Sequence, residues 1–181
     1  MAASDPVSAG TNGASDGTTG STDIAAAPEA PQVAALAQYV KDLSVENPSS
    51  PQVFQWDEQP QLDVQFNIAV NKVADEVHEV VLKIDASARS GSGVHFVLDL
   101  SYAGIFGLRN IPEDALPAFL LVEAPRLLFP FARQVVASAT QDAGFPPLML
   151  DPIDFTAIYM SQIEAAQKAG GEQPPQGETV Q

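Results

Sequence analysis

Residues 77–102 read VHEVVLKIDASARSGSGVHFVLDLSY. Val80, Leu82, Ile84, Ala86 and Ala88 recur at every second position. Val94, Phe96, Leu98, Leu100 and Tyr102 do so again after Ser90-Gly91-Ser92-Gly93. A period of two places alternate side chains on opposite faces of a strand, and a short Gly/Ser break lets the chain reverse. The stretch predicts two antiparallel strands, each with one apolar face. Just upstream, residues 61–70 alternate in the same way: Leu62, Val64, Phe66, Ile68 and Val70 against Gln61, Asp63, Gln65 and Asn67. Runs joined by short turns make an antiparallel meander.

Further toward the N-terminus, residues 37–46, AQYVKDLSVE, also alternate. Tyr39, Lys41, Leu43 and Val45 fall on one predicted face, Val40, Asp42, Ser44 and Glu46 on the other. The intervening NPSSPQVFQWDEQP, residues 47–60, contains three prolines and reads as a long loop. It nevertheless carries Phe54 and Trp56, which a loop rarely leaves in water.

Toward the C-terminus the period changes. Ile111-Pro112-Glu113-Asp114 has the marks of a helix start, with an early proline and carboxylates in the first turn. A break or kink is expected near Pro125 and Pro130. Leu127, Phe131, Val135 and Ala139 then share one helical face, and Gly144 ends the helix. After Phe145-Pro146-Pro147-Leu148, Asp151 is the expected cap and Pro152 the opening of a last helix with Phe155, Ile158, Tyr159, Ile163 and Ala166 on its apolar face. Strands first and helices second is the segregated α+β class, here a four-stranded antiparallel sheet with two main helices packed on one side.

The chain has 181 residues, 45% of them hydrophobic, enough for one sizeable core. Residues 1–35 are dominated by Ala, Gly, Ser, Thr and Asp without an aromatic residue, and read as a disordered acidic tail rather than a targeting segment. Residues 168–181 read as a second disordered tail, leaving a domain at 36–167. Asp and Glu number 23 against 8 Lys and Arg, a formal charge of −15. That balance argues against nucleic acid, whose phosphates need a basic stripe, and against anionic membranes. No apolar run is long enough to span a bilayer, so no direct membrane insertion is expected. The absence of cysteine excludes disulfides, thiolate metal sites and cysteine nucleophiles, and fits a cytoplasmic setting.

Three motifs in register carry a resemblance: Tyr102-Ala103-Gly104-Ile105-Phe106; Ala124-Pro125-Arg126-Leu127-Leu128-Phe129-Pro130-Phe131-Ala132-Arg133; and Gly144-Phe145-Pro146-Pro147-Leu148-Met149-Leu150-Asp151-Pro152-Ile153-Asp154-Phe155. With Val53-Phe54-Gln55 and Glu79-Val80-Val81-Leu82, they resemble the SecB family of protein-export chaperones over residues 37–160. The resemblance implies a cytoplasmic holdase, not an enzyme. It also implies a homotetramer built as a dimer of dimers, with the dimers packed through the long first helix. Such a protein binds unfolded preproteins and delivers them to the translocation ATPase SecA, with no cofactor and no metal. One departure concerns the loop: the family's usual tryptophan lies two positions beyond Trp56, where this chain has Glu58.

A holdase needs adaptable apolar surface, and an acidic one suits cationic targeting segments. The expected client groove lies between the proline-rich loop and the last helix. It is formed by Phe54 and Trp56, by Leu62, Val64 and Phe66 behind them, and by Phe155, Tyr159 and Ile163 from the helix. Leu62, Val64 and Phe66 also fit plain core, and Phe54 and Trp56 also fit a subunit contact. By motif, Asp42 and Glu46 match the acidic SecA-facing positions of the first strand, and Val97 and Asp99 match the apolar and acidic positions before Gly104-Ile105-Phe106. Together they would form a flat acidic patch on the exposed side of the sheet, complementary to a basic partner element.

Other constellations carry less. His78 and His95 on neighbouring strands lack a fixed third metal ligand. Ser90-Gly91-Ser92-Gly93 lacks the lysine of a phosphate loop. Adjacent acids such as Asp57/Glu58 and Glu113/Asp114 read as solvated faces, and Arg126 and Arg133 as interhelical or subunit contacts. Two alternatives to general export remain: a SecB-like chaperone dedicated to one partner, such as a toxin–antitoxin pair, and an α+β small-ligand-binding protein or acid–base enzyme.

Overall fold

The computed structural model describes residues 30–171. Strands β1 (Gln32–Glu46), β2 (Gln61–Ala74), β3 (Val77–Ser90) and β4 (Gly93–Arg109) precede the helical elements α1 (Leu116–Ala118), α2 (Ala124–Asp142) and α3 (Phe155–Gly171). The sheet is antiparallel in the order β1-β4-β3-β2. The meander of β2, β3 and β4 is as predicted. β1 returns through the proline-rich loop to pair with β4, which makes the order a Greek key. β1 starts at Gln32, ahead of the boundary expected at residue 36, because its backbone pairs with the end of β4 from Arg109 to Phe106. At the other end α3 runs to Gly171. The remainder of the two expected tails lies outside the described residues.

One face of the sheet carries the helices. Val80, Leu82, Ile84, Ala86 and Ala88 of β3 and Leu98, Leu100 and Phe106 of β4 are each no more than 2% exposed. They form one core with Leu128, Ala132 and Val136 of α2 and with Phe155 of α3. Full burial of one such side chain is worth roughly 1.5–3 kcal/mol, so this layer supplies most of the drive to fold. Gly104 sits where α2 comes closest: a Cβ there would lie 2.7 Å from Leu128 Cδ2 and 2.9 Å from the Phe106 ring.

Two prolines do not break the long helix. A π-helical turn over Phe119–Glu123 leads from α1 into α2, with the Ala124 amide bonded to the Phe119 carbonyl. Such a wide turn is the expected accommodation next to Pro125, whose ring nitrogen cannot donate. Pro130 lies inside α2. The apolar face chosen from the sequence is not the buried one. Leu127 and Phe131 are 49% and 53% exposed, and the core-facing row is Leu128, Ala132, Val136 and Thr140. The last helix also starts later than predicted: its cap is Asp154, whose Oδ1 accepts the Ala157 amide at 3.1 Å, not Asp151.

At two of the four register shifts the bulge falls inside a predicted run, and simple alternation fails there. In β1 the pairing shifts at Val40–Asp42, so Tyr39 pairs with Ala103 and Asp42 with Ser101, on one face. Lys41 is the extra residue. Tyr39 therefore shares its side with Asp42, Ser44 and Glu46, and Leu43 and Val45 turn to the helix side, contrary to the predicted grouping. In β4, Val94 pairs with Arg89 and Phe96 with Ala88, leaving His95 as the extra residue. Val94 therefore does not join the apolar row of Phe96 and Leu98, and His95 is buried beside Phe96.

Candidate functional site

Two surfaces stand out, one on each side of the sheet. The first is an apolar groove of about 550 Å³. One wall is the proline-rich loop, with Phe54, Trp56, Glu58 and Pro60. The other is the link between α2 and α3, from Gly144 to Met149. Leu62, His95 and Phe96 lie between them. Phe54 is 55% exposed, Leu62 49% and Met149 58%, so this is apolar surface open to solvent.

Aromatic packing builds the groove. Phe145 lies 5.6 Å from Phe54 and 5.1 Å from Phe96, ring centre to ring centre, and so joins the two walls. Trp56 stands edge-on to His95 at 5.0 Å. The His95 ring is held from behind by a 2.9 Å hydrogen bond with Ser90 Oγ. Glu58 ties the loop to the β3–β4 turn, its Oε2 accepting the Ser92 amide at 3.0 Å. A Cβ on Gly93 would lie 3.0 Å from the Trp56 ring, so that turn needs glycine for both space and its φ of +144°.

The groove differs from the one expected in its second wall. Phe155 is 1% exposed and packs on Phe129 at 6.1 Å, which makes it core. Phe66 also packs on Phe129, at 6.5 Å, and Val64 joins it against the same core. Of Leu62, Val64 and Phe66, Leu62 alone lines the groove. Tyr159 lines a separate apolar depression with Phe119, Val122, Thr156 and Met160. Ile163 is half-buried on α3. Arg126 joins α2 to α3 through Thr156 Oγ1 at 3.2 Å and pairs with Glu123 at 2.8 Å.

The second surface is the outer face of the sheet. The register sets Asp42 opposite Ser101, Ser44 opposite Asp99 and Glu46 opposite Val97. All four acidic-patch residues named from the sequence thus share one side. Pairing then extends the row across the sheet, from Asp99 to Asp85 and Gln65, and from Val97 to Ser87 and Asp63. A shallow depression of about 280 Å³ lies among Asp63, Gln65, Asp85, Ser87, Val97 and Asp99. The hydrogen bond that a protonated Asp85 carboxyl donates to Asp99 raises the pKa of Asp85 above the ordinary carboxylate value, and burial adds to it. The sequence reading missed Asp63 and Asp85 as members of this face. The alternation of β3 carried the signal, since Lys83, Asp85 and Ser87 are its polar row.

Beside the patch lies a buried carboxylate hub. Glu79 accepts hydrogen bonds from Lys41 Nζ at 2.9 and 2.8 Å, from Asn71 Nδ2 at 3.0 Å and from the Tyr39 hydroxyl. These donors hold its pKa down to about 2. His78 and His95 stand at opposite ends of the β3–β4 pair, opposite Phe106 and beside Phe96. Among the described residues no cluster of three or more His, Cys, Asp and Glu side chains could hold a metal ion, and no helix is long and apolar enough to cross a membrane.

Comparison with known proteins agrees with this architecture. Residues 26–166 match the family model described as preprotein translocase subunit SecB. The chain is 55% identical over 150 residues to the protein-export protein SecB of Sphingopyxis alaskensis, covering 83% of this chain and 86% of the relative. It is 51% identical over 144 residues to that of Zymomonas mobilis, covering 80% and 88%. Among solved structures, a Mycobacterium tuberculosis SecB-like chaperone in complex with an antitoxin peptide shares the fold. The TM-score is 0.55 at 18% identity, over 68% of this chain and 90% of that one.

Proposed function

The chain belongs to the SecB family, and from that premise we propose that it is a cytoplasmic export chaperone that holds unfolded preproteins and passes them to SecA. The observation that carries the reading is the open groove between the proline-rich loop and the link after α2. Its apolar surface is too exposed to be core, and it is walled by two loop segments, the proline-rich loop and the link after α2. An extended chain laid there would bury several large side chains at roughly 1.5–3 kcal/mol each, enough for reversible capture without covalent chemistry. The residues assigned to client contact are Phe54, Trp56 and Leu62, with Phe145 and Met149 of the link added. Tyr159 and Ile163 serve a client path that continues along α3.

The outer acidic face is the assigned SecA surface. Asp42, Glu46, Val97 and Asp99 lie together there, and a basic partner element would gain rate and register from them. Assembly as a dimer of dimers fits two exposed features. β1 is an open edge with Val33, Leu36, Val40 and Leu43 more than 40% exposed, and α2 presents Leu127 and Phe131 outward. Multi-angle light scattering during chromatography tests the reading. A mass near four chains that takes up a reduced, urea-diluted polypeptide and leaves its folded form alone supports it. A monomer indifferent to the unfolded chain contradicts it.

A further inference from the structure

Thr140 is fully buried on α2, yet its hydroxyl serves the link beyond the helix rather than the core around it. The hydroxyl donates within the helix, to the carbonyls of Val136 at 3.0 Å and Ala137 at 3.1 Å. Its oxygen accepts the Leu148 amide at 2.9 Å, eight residues on. The backbone carbonyl of the same residue accepts the Phe145 amide at 3.1 Å, while the Gly144 amide bonds to Gln141 at 3.0 Å. That pair of bonds, with Gly144 at φ +90°, is a Schellman end to the helix. One residue thus fixes both ends of the segment 145–148, which is the groove wall carrying Phe145, Pro146 and Pro147.

We propose that Thr140 is the positioning residue of the client groove: its hydroxyl holds the 145–148 wall at the distance from the loop that lets Phe145 meet Phe54. The inference rests on the groove reading above and names the group on which that groove's shape depends. Valine fills the same volume but can neither accept the Leu148 amide nor donate to the helix carbonyls. In Thr140→Val the amide is left half-buried and unpaired, a loss that moves the wall rather than the core. Serine keeps the hydroxyl. Among the described residues no other side chain bonds that amide.

The test uses the full chain and a reduced, urea-diluted polypeptide that lacks tryptophan, with affinity read from the emission of Trp56, the sole tryptophan. Thr140→Val is expected to bind about tenfold more weakly, and Thr140→Ser as tightly as the parent. Hydrogen exchange in the parent is expected to show the Leu148 amide protected, a measurement that stands even if the valine variant fails to fold. Parent-like affinity in Thr140→Val, equal weakening in the valine and serine variants, or free exchange at Leu148 overturns the proposal. Trp56→Ala, read by calorimetry, separates the two levels. If it binds weakly while Thr140→Val does not, the groove stands and Thr140's role falls. If neither variant weakens binding, both fall.

Discussion

Lys41 and Glu79 are joined across the intervening strand β4: the ammonium of the edge strand closes on both oxygens of a carboxylate on β3, at 2.9 and 2.8 Å. Lys41 is the extra residue of the second β1 bulge, and Tyr39, two residues before it, reaches the same carboxylate. The pair pins the strand segment after which Asp42, Ser44 and Glu46 face outward together. Stability and the layout of the acidic face therefore meet in one hub.

This hub gives a pH signature with a definite sign. Glu79 is held at about 2, chiefly by the Lys41 hydrogen bonds and then by those from Tyr39 and Asn71. A depressed carboxylate stabilises above its unfolded value, near 4.5, and that contribution is lost as pH falls toward 2. Glu79→Ala is expected to lower unfolding free energy by about 2–3 kcal/mol at pH 7, from the lost charge-assisted bonds. Urea titrations of parent and variant at pH 7 and pH 2.5 check it. The gap should narrow at the lower pH, and a gap independent of pH would contradict the assignment.

Asp85 predicts the opposite sign. Its pKa is raised, first by the hydrogen bond with Asp99, which exists only while one of the two is protonated, so at neutral pH the two charges repel. Asp85→Asn is expected to raise the melting temperature at pH 7, with the advantage shrinking as pH falls through the raised value. Thermal melts at pH 7 and pH 4 read it out, and a lower melting temperature at pH 7 would refute it.

The partner face is tested by charge reversal. Asp42→Lys combined with Asp99→Lys is expected to abolish SecA binding in calorimetry, while an unfolded polypeptide is still captured. Both positions lie on exposed strand surface and face away from the core. Unchanged SecA affinity would remove the face from the account.

Gly144 tests the spacing of the groove walls. At φ +90° an alanine is strained, and its Cβ would lie 3.0 Å from the Phe54 ring. Gly144→Ala is expected to cost about 1–2 kcal/mol in urea unfolding. It is also expected to weaken client capture by pushing the two walls apart. Unchanged stability together with unchanged capture would contradict the tight approach of the link to Phe54.

Much of the fold is legible in the sequence. β2, β3 and most of β4 follow from period-two spacing, because their helix-facing rows are apolar from Leu62 to Val70, from Val80 to Ala88 and from Phe96 to Leu100. The acid row of β1 was legible too, since Asp42, Ser44 and Glu46 lie beyond the bulge and keep their spacing. Tyr39 was misplaced because one extra residue at Lys41 resets the alternation, and nothing in a local pattern marks that residue. His95 was weighed only as half of a histidine pair with His78, and its place in the groove was missed for the same reason in β4. The loop wall of the groove was legible because Phe54 and Trp56 are large aromatics among prolines. The second wall was not. Phe155 and Tyr159 fall on one helical stripe, yet Phe155 is sealed under Phe129 while Phe145 fills the groove side. That choice depends on how the link folds back from α2, which Thr140 and Gly144 determine through hydrogen bonds that periodicity does not encode.

The most direct test of the central claim uses the chain's own fluorophore. Trp56 is the single tryptophan and stands in the groove against His95. Titrating the full chain with a tryptophan-free polypeptide, once unfolded and once folded, should give a saturable shift in Trp56 emission with the unfolded form alone. An unfolded polypeptide that co-elutes with the protein while Trp56 emission stays unchanged, or an equal shift with the folded form, would contradict the groove as the place where clients bind.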